Sequence, residues 1–252
     1  MMKFSPVILV RRRAGLLGVL AGIFLALLIV GIVVTALAFR GYIHIEGGPF
    51  KEDAGPVKEI GRFHAGSIVV RNVIGSVELV PSEVEGVVVK SNLPVNATYR
   101  NGLLTVYCLV EEKRSVFGIS THNLCGDYRN GKVVIEVGTG LTDVWVRNTV
   151  GDVFIGANVT KALIEDTVGD LKGAAPAEYR VDDVVGDVVI HAGGDVTIND
   201  VVGDIRIHVP HDYTVSLSLN DVLGKVENTY SGEGRPIIIK ISDVVGDVSI
   251  GQ

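Results

Sequence analysis

The feature that most constrains this chain is a six-residue motif, centred on a glycine, that occurs seven times. The copies are Asn72–Val77, Asn148–Val153, Asp166–Leu171, Asp183–Val188, Asp200–Ile205, Asp221–Val226 and Asp243–Val248. Their glycines are Gly75, Gly151, Gly169, Gly186, Gly203, Gly224 and Gly246, and from Gly151 onward they lie 18, 17, 17, 21 and 22 residues apart. Recurrence at a short, nearly fixed period is the mark of an architecture in which each repeat stacks on the next. The residue types say that the repeat is made of strands. Apolar residues make up 47% of the chain and aromatics only 6%, so valine and isoleucine carry the apolar load, and β-branched side chains favour the pleated sheet.

Alignment on the glycine assigns the faces. Five residues before it stand Val70, Val146, Ile164, Val181, Ile198, Leu219 and Ile241; two residues after it stand Val77, Val153, Leu171, Val188, Ile205, Val226 and Val248. One residue before it stand Ile74, Val150, Val168, Val185, Val202, Leu223 and Val245. All three rows are aliphatic and are expected to face the core. The row four before the glycine is polar throughout, from Arg71 and Arg147 to Asn220 and Ser242, and is expected to face water. This is the period-two alternation of strands. Its parity shifts across the glycine, which implies a bend there: the glycine supplies positive φ, and the Asn or Asp three residues earlier can cap backbone amides. The expected fold is therefore all-β, a single-stranded, right-handed β-solenoid with a dry aliphatic core and a strand spacing of about 4.8 Å.

The repeated Asp/Asn-x-Val-Gly-Asp-Val pattern resembles the putative-adhesin domain of unknown function, over roughly residues 62–250. Members of that family form β-solenoids and often follow a membrane anchor, and the head domains of certain autotransporter-like adhesins are similar. The resemblance implies a cell-surface repeat protein. Two features depart from the pattern: an insertion at about 91–131, and Lys225 where other copies mostly carry Asp.

Ahead of the repeats, residues 14–39 contain no charge, which is long enough to cross a bilayer as one helix. Arg11, Arg12 and Arg13 precede this span and only Arg40 follows it directly, so the positive-inside rule puts residues 1–13 in the cytoplasm and the bulk of the chain outside. The span exceeds a signal-peptide core, so a retained signal-anchor is expected in place of a cleaved leader. Residues 40–61, rich in Gly, Pro and charge, read as a linker, and 62–252 as the repeat domain. Residues 1–40 carry +5, which leaves −11 on the remainder against a total of −6. So acidic a domain is a poor match for phosphate backbones, and no nucleic-acid partner is expected. The expected partners are lipid, through 14–39, and an envelope or surface protein or glycan.

No motif for catalysis or cofactor binding stands out. HExxH, GxSxG, a P-loop and the Rossmann glycine fingerprint do not occur, and the recurrent acids belong to every repeat, whereas an active site appears once. The expectation is a non-enzymatic surface scaffold without cofactor. The alternatives are a sensor ectodomain working through a membrane partner and, behind it, a glycan-active enzyme. Several residues merit attention nonetheless. Asp170, Asp187 and Asp204 belong to a ladder that starts at Asp152 and could hold cations; turn capping is the plainer role. His191 and His208 share a repeat position with His211 near, which suggests either a solvated pair or a metal site. Trp145, Phe154 and Leu163 point outward and imply a patch covered by the insertion or by a partner. Cys108 and Cys125 are expected to bridge in an oxidising compartment, with two free thiols as the alternative. Asn96 and Asn158 head glycosylation sequons. The last motif copy, with Ile237, Ile238 and Ile239 just before it, is expected to form an uncapped end available for self-association through the C-terminal coil.

Overall fold

The computed structural model describes residues 53–252, apart from 116 and 117. The expected cytoplasmic segment and membrane span, and most of the linker, lie outside the described residues. Among the described residues no helix is long and apolar enough to cross a membrane.

The described chain is all-β, with one short 3-10 turn at Leu124–Asp127. In order, the first strands are β1 (Lys58–Phe63), β2 (Ser67–Ile74), β3 (Ser76–Pro81), β4 (Val87–Ser91), β5 (Val95–Arg100) and β6 (Leu103–Cys108). Then come β7 (Val110–Ser115), β8 (Gly118–Asn123), β9 (Lys132–Val137), β10 (Asp143–Val150), β11 (Val153–Ile155), β12 (Lys161–Val168) and β13 (Leu171–Val185). The last are β14 (Val188–Val202), β15 (Ile205–His208), β16 (Tyr213–Leu223), β17 (Val226–Asn228), β18 (Arg235–Val245) and β19 (Val248–Gly251). All but β7 and β8, which form a separate hairpin, belong to one 17-stranded sheet that pairings beyond the linear order bring nearly closed on itself.

Two parallel ladders run through this sheet. Segments before the glycine stack as β6–β2–β10–β12–β13–β14–β18–β16. Segments after it stack as β9–β3–β11–β13–β14–β15–β19–β17. Equivalent motif residues are register partners, as in Val146↔Ile164 and Ile164↔Val181. The segment read as an insertion supplies β6, and β9 follows it directly; each is the first strand of a ladder. Antiparallel strands then close that end, β5 on β6, and β4 on β9 with β1 on β4. Thus β1 begins inside the segment read as linker.

The rows five before and two after the glycine are buried in every level except the one holding Leu219 and Val226. The row one before it is not in the core. Val150, Val168, Val185, Val202 and Val245 are 51–52% exposed, and the buried row is the neighbour two before the glycine: Val73, Thr149, Thr167, Val184, Val201 and Val244. The cause is the Asn or Asp three before the glycine, which sits in the left-handed region with φ of 48–56° in all seven copies. One such residue turns the chain by an extra step, so parity flips there, ahead of the glycine. Asn and Asp tolerate that conformation better than other side chains with a Cβ. The two threonines in the buried row keep their hydroxyls near the carbonyls of Arg147 and Glu165. At the glycine itself sterics decide: a Cβ on Gly169 would lie 2.5 Å from the Gly151 carbonyl oxygen.

The order of stacking also departs from the sequence. After Gly203 the next glycine in the stack is Gly246, and Gly224 follows it. The chain leaves β15, skips a level, builds β16 and β17 at the far end, and returns as β18 and β19 to fill the gap. Hence the last motif copy is an interior level, and the uncapped end belongs to Asp221–Val226. The expectation of a bare end at Ile237–Ile239 is overturned; Ile237, Ile239 and Ile241 are buried.

Candidate interaction surface

Each level presents the same corner to solvent: an Asx, an exposed aliphatic, the glycine and, usually, an Asp. The exposed aliphatics form a row from Val150 to Leu223, with the half-buried Ile74 ahead of it, and Leu223, at the end, is 73% exposed. Solvent-facing β-branched residues in successive levels make a continuous apolar stripe of the kind that soluble surfaces seldom carry without use.

One flank of the stripe is the aspartate ladder, and its bonding is directional. Asp152 Oδ1 accepts the Asp170 amide at 3.0 Å, and Asp170 Oδ1 accepts the Asp187 amide at 2.9 Å. Asp187 serves Asp204 at 3.0 Å, Asp204 serves Asp247 at 2.9 Å, and Asp247 serves Lys225 at 2.8 Å. Each carboxylate caps the turn of the level stacked next. These bonds help offset the repulsion of like charges one strand apart, which is about 1 kcal/mol per pair in water. Lys225 occupies the one position with no following amide to cap, so a carboxylate there would add repulsion and no bond. Its ammonium pairs with Glu227 instead, and that hydrogen bond holds it above the usual lysine range.

The other flank is an acidic groove of about 530 Å³ lined by Asp166, Asp182, Asp183, Asp200 and Asp243, with Arg180 at its edge. Arg180 donates to Asp182 Oδ2 at 2.7 Å and Asn199 to Asp182 Oδ1 at 2.6 Å. Among the described residues no group of three or more His, Cys, Asp or Glu is placed to hold a metal.

A second face centres on Trp145. Its indole Nε1 donates to Glu165 Oε2 at 3.1 Å, and the Arg147 guanidinium lies 4.4 Å from the ring centroid. The ring thereby has a fixed orientation. Beside it an apolar cavity of about 430 Å³ is lined by Ile68, Val69, Leu103, Trp145, Ala162 and Leu163, with Lys161 and Glu178 at the rim. Lys161 donates to Glu178 at 3.0 Å. Of the segment expected to cover this patch, only Leu103 reaches the cavity wall. Phe154 is elsewhere, on the other ladder, where its ring packs over Gly156.

The β7–β8 hairpin lies at the start of the valine stripe instead. Val110, Thr121 and Asn123 there wall a space of about 410 Å³ whose floor includes Ile74, Val150 and Val168. Asn123 donates to the Asn72 carbonyl at 2.9 Å. Cys108 and Cys125 form a buried disulfide that ties the end of β6 to the 3-10 turn following this hairpin. His191 and His208 stack with ring centroids 4.9 Å apart; His191 Nδ1 donates to the Ala174 carbonyl at 2.8 Å, and Gln252 Nε2 lies beside His211 Nδ1. Asn96 and Asn158 are both exposed.

Sequence reasoning missed one residue set. The exposed row looked like core because its residues are as aliphatic as the buried ones. Lys225 was visible as a departure, and the widened spacings of 21 and 22 mark the repeats that leave and refill a level.

No family model matches the chain, and no curated protein matches it. Solved structures similar to it include a putative cell adhesion protein from Clostridium sporogenes, 12% identical over 78% of this chain and 98% of that one, with a TM-score of 0.39. Others are a putative adhesin from Bacteroides fragilis (14%, 77% and 96%, 0.32) and a putative lipid binding protein from Parabacteroides distasonis (12%, 78% and 98%, 0.32). Likeness at that level supports no inference about this chain's activity.

Proposed function

We propose that residues 62–252 form a β-solenoid serving as a non-catalytic surface interaction scaffold, of adhesion or envelope type, tethered by residues 14–39. The observation that carries this reading is the exposed valine row, repeated level after level between acidic flanks. Burying it inside a partner interface would remove apolar surface at every level at once, at roughly 25 cal/mol per Å². The ladder carboxylates already serve as turn caps, which favours a structural over a chemical use of the repeated acids. The test is attachment of cells displaying the full chain, compared with Val168→Lys/Val185→Lys/Val202→Lys. These positions are outside the core, so the variant folds; the reading expects attachment to drop at least tenfold. Unchanged attachment by a variant with a wild-type melting curve would sink it.

The Trp145 cavity favours a second reading, a sensor ectodomain that takes a small amphipathic ligand and acts through a membrane partner. Trp145 is the one tryptophan of the chain, so its fluorescence reports on this cavity directly. A saturable spectral shift with short-chain amphiphiles, abolished by Leu163→Lys, supports that reading, and a flat titration removes it.

A further inference from the structure

The two ends of the stack are built differently. At one end antiparallel β1, β4 and β5 cover the first levels. At the other, β16 pairs with β18 alone and β17 with β19 alone, so one side of each is an open edge. In a parallel ladder alternate residues bond to alternate neighbours, so half the amides and carbonyls of an end strand face outward unpaired.

Open edges are ordinarily blunted by lysine, proline or inward charges. Here those devices sit on the covered strand. β18 carries Arg235, Pro236 and Lys240, while Tyr213–Asn220 of β16 holds neither a charge nor a proline. The apolar side chains of this level remain uncovered as well: Leu219 and Val226 are each 39% exposed, although their equivalents in every other motif level are buried.

The geometry points to this end as the interface of a two-fold homodimer, with β16 pairing antiparallel to β16 of a second copy. This deepens the scaffold reading and rests on it. The occupant follows from the two ends. A head-to-tail copy would meet the antiparallel cap, and Lys225 offers no carboxylate to carry the aspartate chain into another level. A head-to-head copy meets an identical uncharged edge. Antiparallel pairing about any residue within 215–219 matches odd-numbered positions with odd ones, so Val215, Leu217 and Leu219 stay on the core side of both copies. The contact is isologous and closes at two, so no filament grows. β16, Tyr213–Leu223, at about 3.3 Å per residue across a sheet layer about 10 Å thick, covers on the order of 350 Å² per partner, or roughly 700 Å² in all. That is the size of a weak, reversible contact, which crosslinking captures.

The test uses the full chain in the membranes of expressing cells. Cys108 and Cys125 are joined to each other, so one introduced cysteine is the one free thiol. Thr214→Cys, Ser216→Cys, Ser218→Cys and Asn220→Cys are treated with a short thiol crosslinker, with Thr197→Cys, two levels inside the stack, as control. The expected result is a crosslinked dimer that peaks at one or two adjacent positions of the four, with none from Thr197→Cys. Adding Ser218→Lys should lower the dimer yield at least tenfold while the melting curve holds. Equal yield at all four positions and the control, species larger than dimers, or no crosslink anywhere would each overturn the dimer. The valine-row variant should still crosslink. Its attachment phenotype and this pattern therefore fail separately.

Discussion

Asp247 caps the backbone of Lys225: its Oδ1 accepts the Lys225 amide at 2.8 Å, although Lys225 comes 22 residues earlier in the chain. The bond fixes the polarity of the ladder. It also predicts the effect of changing either kind of residue. Asp187→Ala removes the acceptor for the Asp204 amide and should cost about 1 kcal/mol. Asp187→Asn keeps an acceptor and relieves like charge, so it should be neutral or stabilising in low salt. Lys225→Asp should lower the melting temperature in low salt, and about 1 M salt should erase most of that loss. Thermal melts of the four proteins at two salt concentrations check all of this; a stabilised Lys225→Asp would show that the ladder does not end there.

Neighbouring valines should respond in opposite ways. Val201 is fully buried and Val202 is 52% exposed. Val201→Ala leaves a cavity and should cost about 2 kcal/mol, while Val202→Ala should change stability by less than about 0.5 kcal/mol. Denaturant melts decide it. The reverse ranking would mean that the parity flips at Gly203 and not at Asp200.

This pair also shows how far the sequence could be read. Glycines that lie against a stacked carbonyl and Asx residues at positive φ leave a chemical trace, because few other residue types are tolerated there. The rows five before and two after the glycine were legible for the same reason. Val202 was not, because a valine packed in a core and a valine awaiting a partner look identical in sequence. The parity depended on which of two bend-tolerant residues, Asp200 or Gly203, takes the extra step. Trp145 could be read as an outward apolar residue, but what flanks it depends on where β6 and the β7–β8 hairpin land, which is a matter of non-local pairing.

Tyr179 supplies a pH-dependent prediction. It is buried, its hydroxyl donates to the Ala175 carbonyl at 2.8 Å, and burial pushes its ionisation well above the ordinary tyrosine value near 10. A pKa raised in the folded state gives stability that is present in full below the unfolded value and is lost as pH climbs through the folded one. Stability should therefore decline from about pH 10 upward, and Tyr179→Phe should flatten that decline while costing about 1 kcal/mol at neutral pH for the lost bond. Spectrophotometric titration is the check: one of the seven tyrosines should ionise only together with unfolding.

The Cys108–Cys125 bridge closes a separation of 17 residues. Loss of a loop constraint of this size should cost about 3 kcal/mol in the chain-entropy model. Reduction should therefore lower the melting temperature and loosen the 3-10 turn and the β7–β8 hairpin against Ile74 before it affects β10 to β19. Hydrogen exchange with and without reductant would expose that order; uniform loss of protection across all levels would contradict it.

The final prediction concerns the order of levels itself. Arg206 on β15 is the register partner of Ser249 on β19, and Ser249 in turn is the partner of Glu227 on β17. If levels followed the sequence, Arg206 would instead lie beside Glu227. Parallel neighbours about 4.8 Å apart fall within the Cα separations that a disulfide spans, whereas residues two levels apart, at about 9.6 Å, do not. In the full chain under mild oxidation, Arg206→Cys with Ser249→Cys should form an intramolecular bridge, as should Glu227→Cys with Ser249→Cys. The pair Arg206→Cys with Glu227→Cys should stay reduced. Arg206 and Glu227 are exposed and Ser249 is half-buried outside the core, so the substitutions leave the core intact and each pair serves as a folding control for the others. A bridge between 206 and 227, with none to 249, would restore the sequential order. It would also move the open end back to the last motif copy and take the proposed dimer interface from β16 with it.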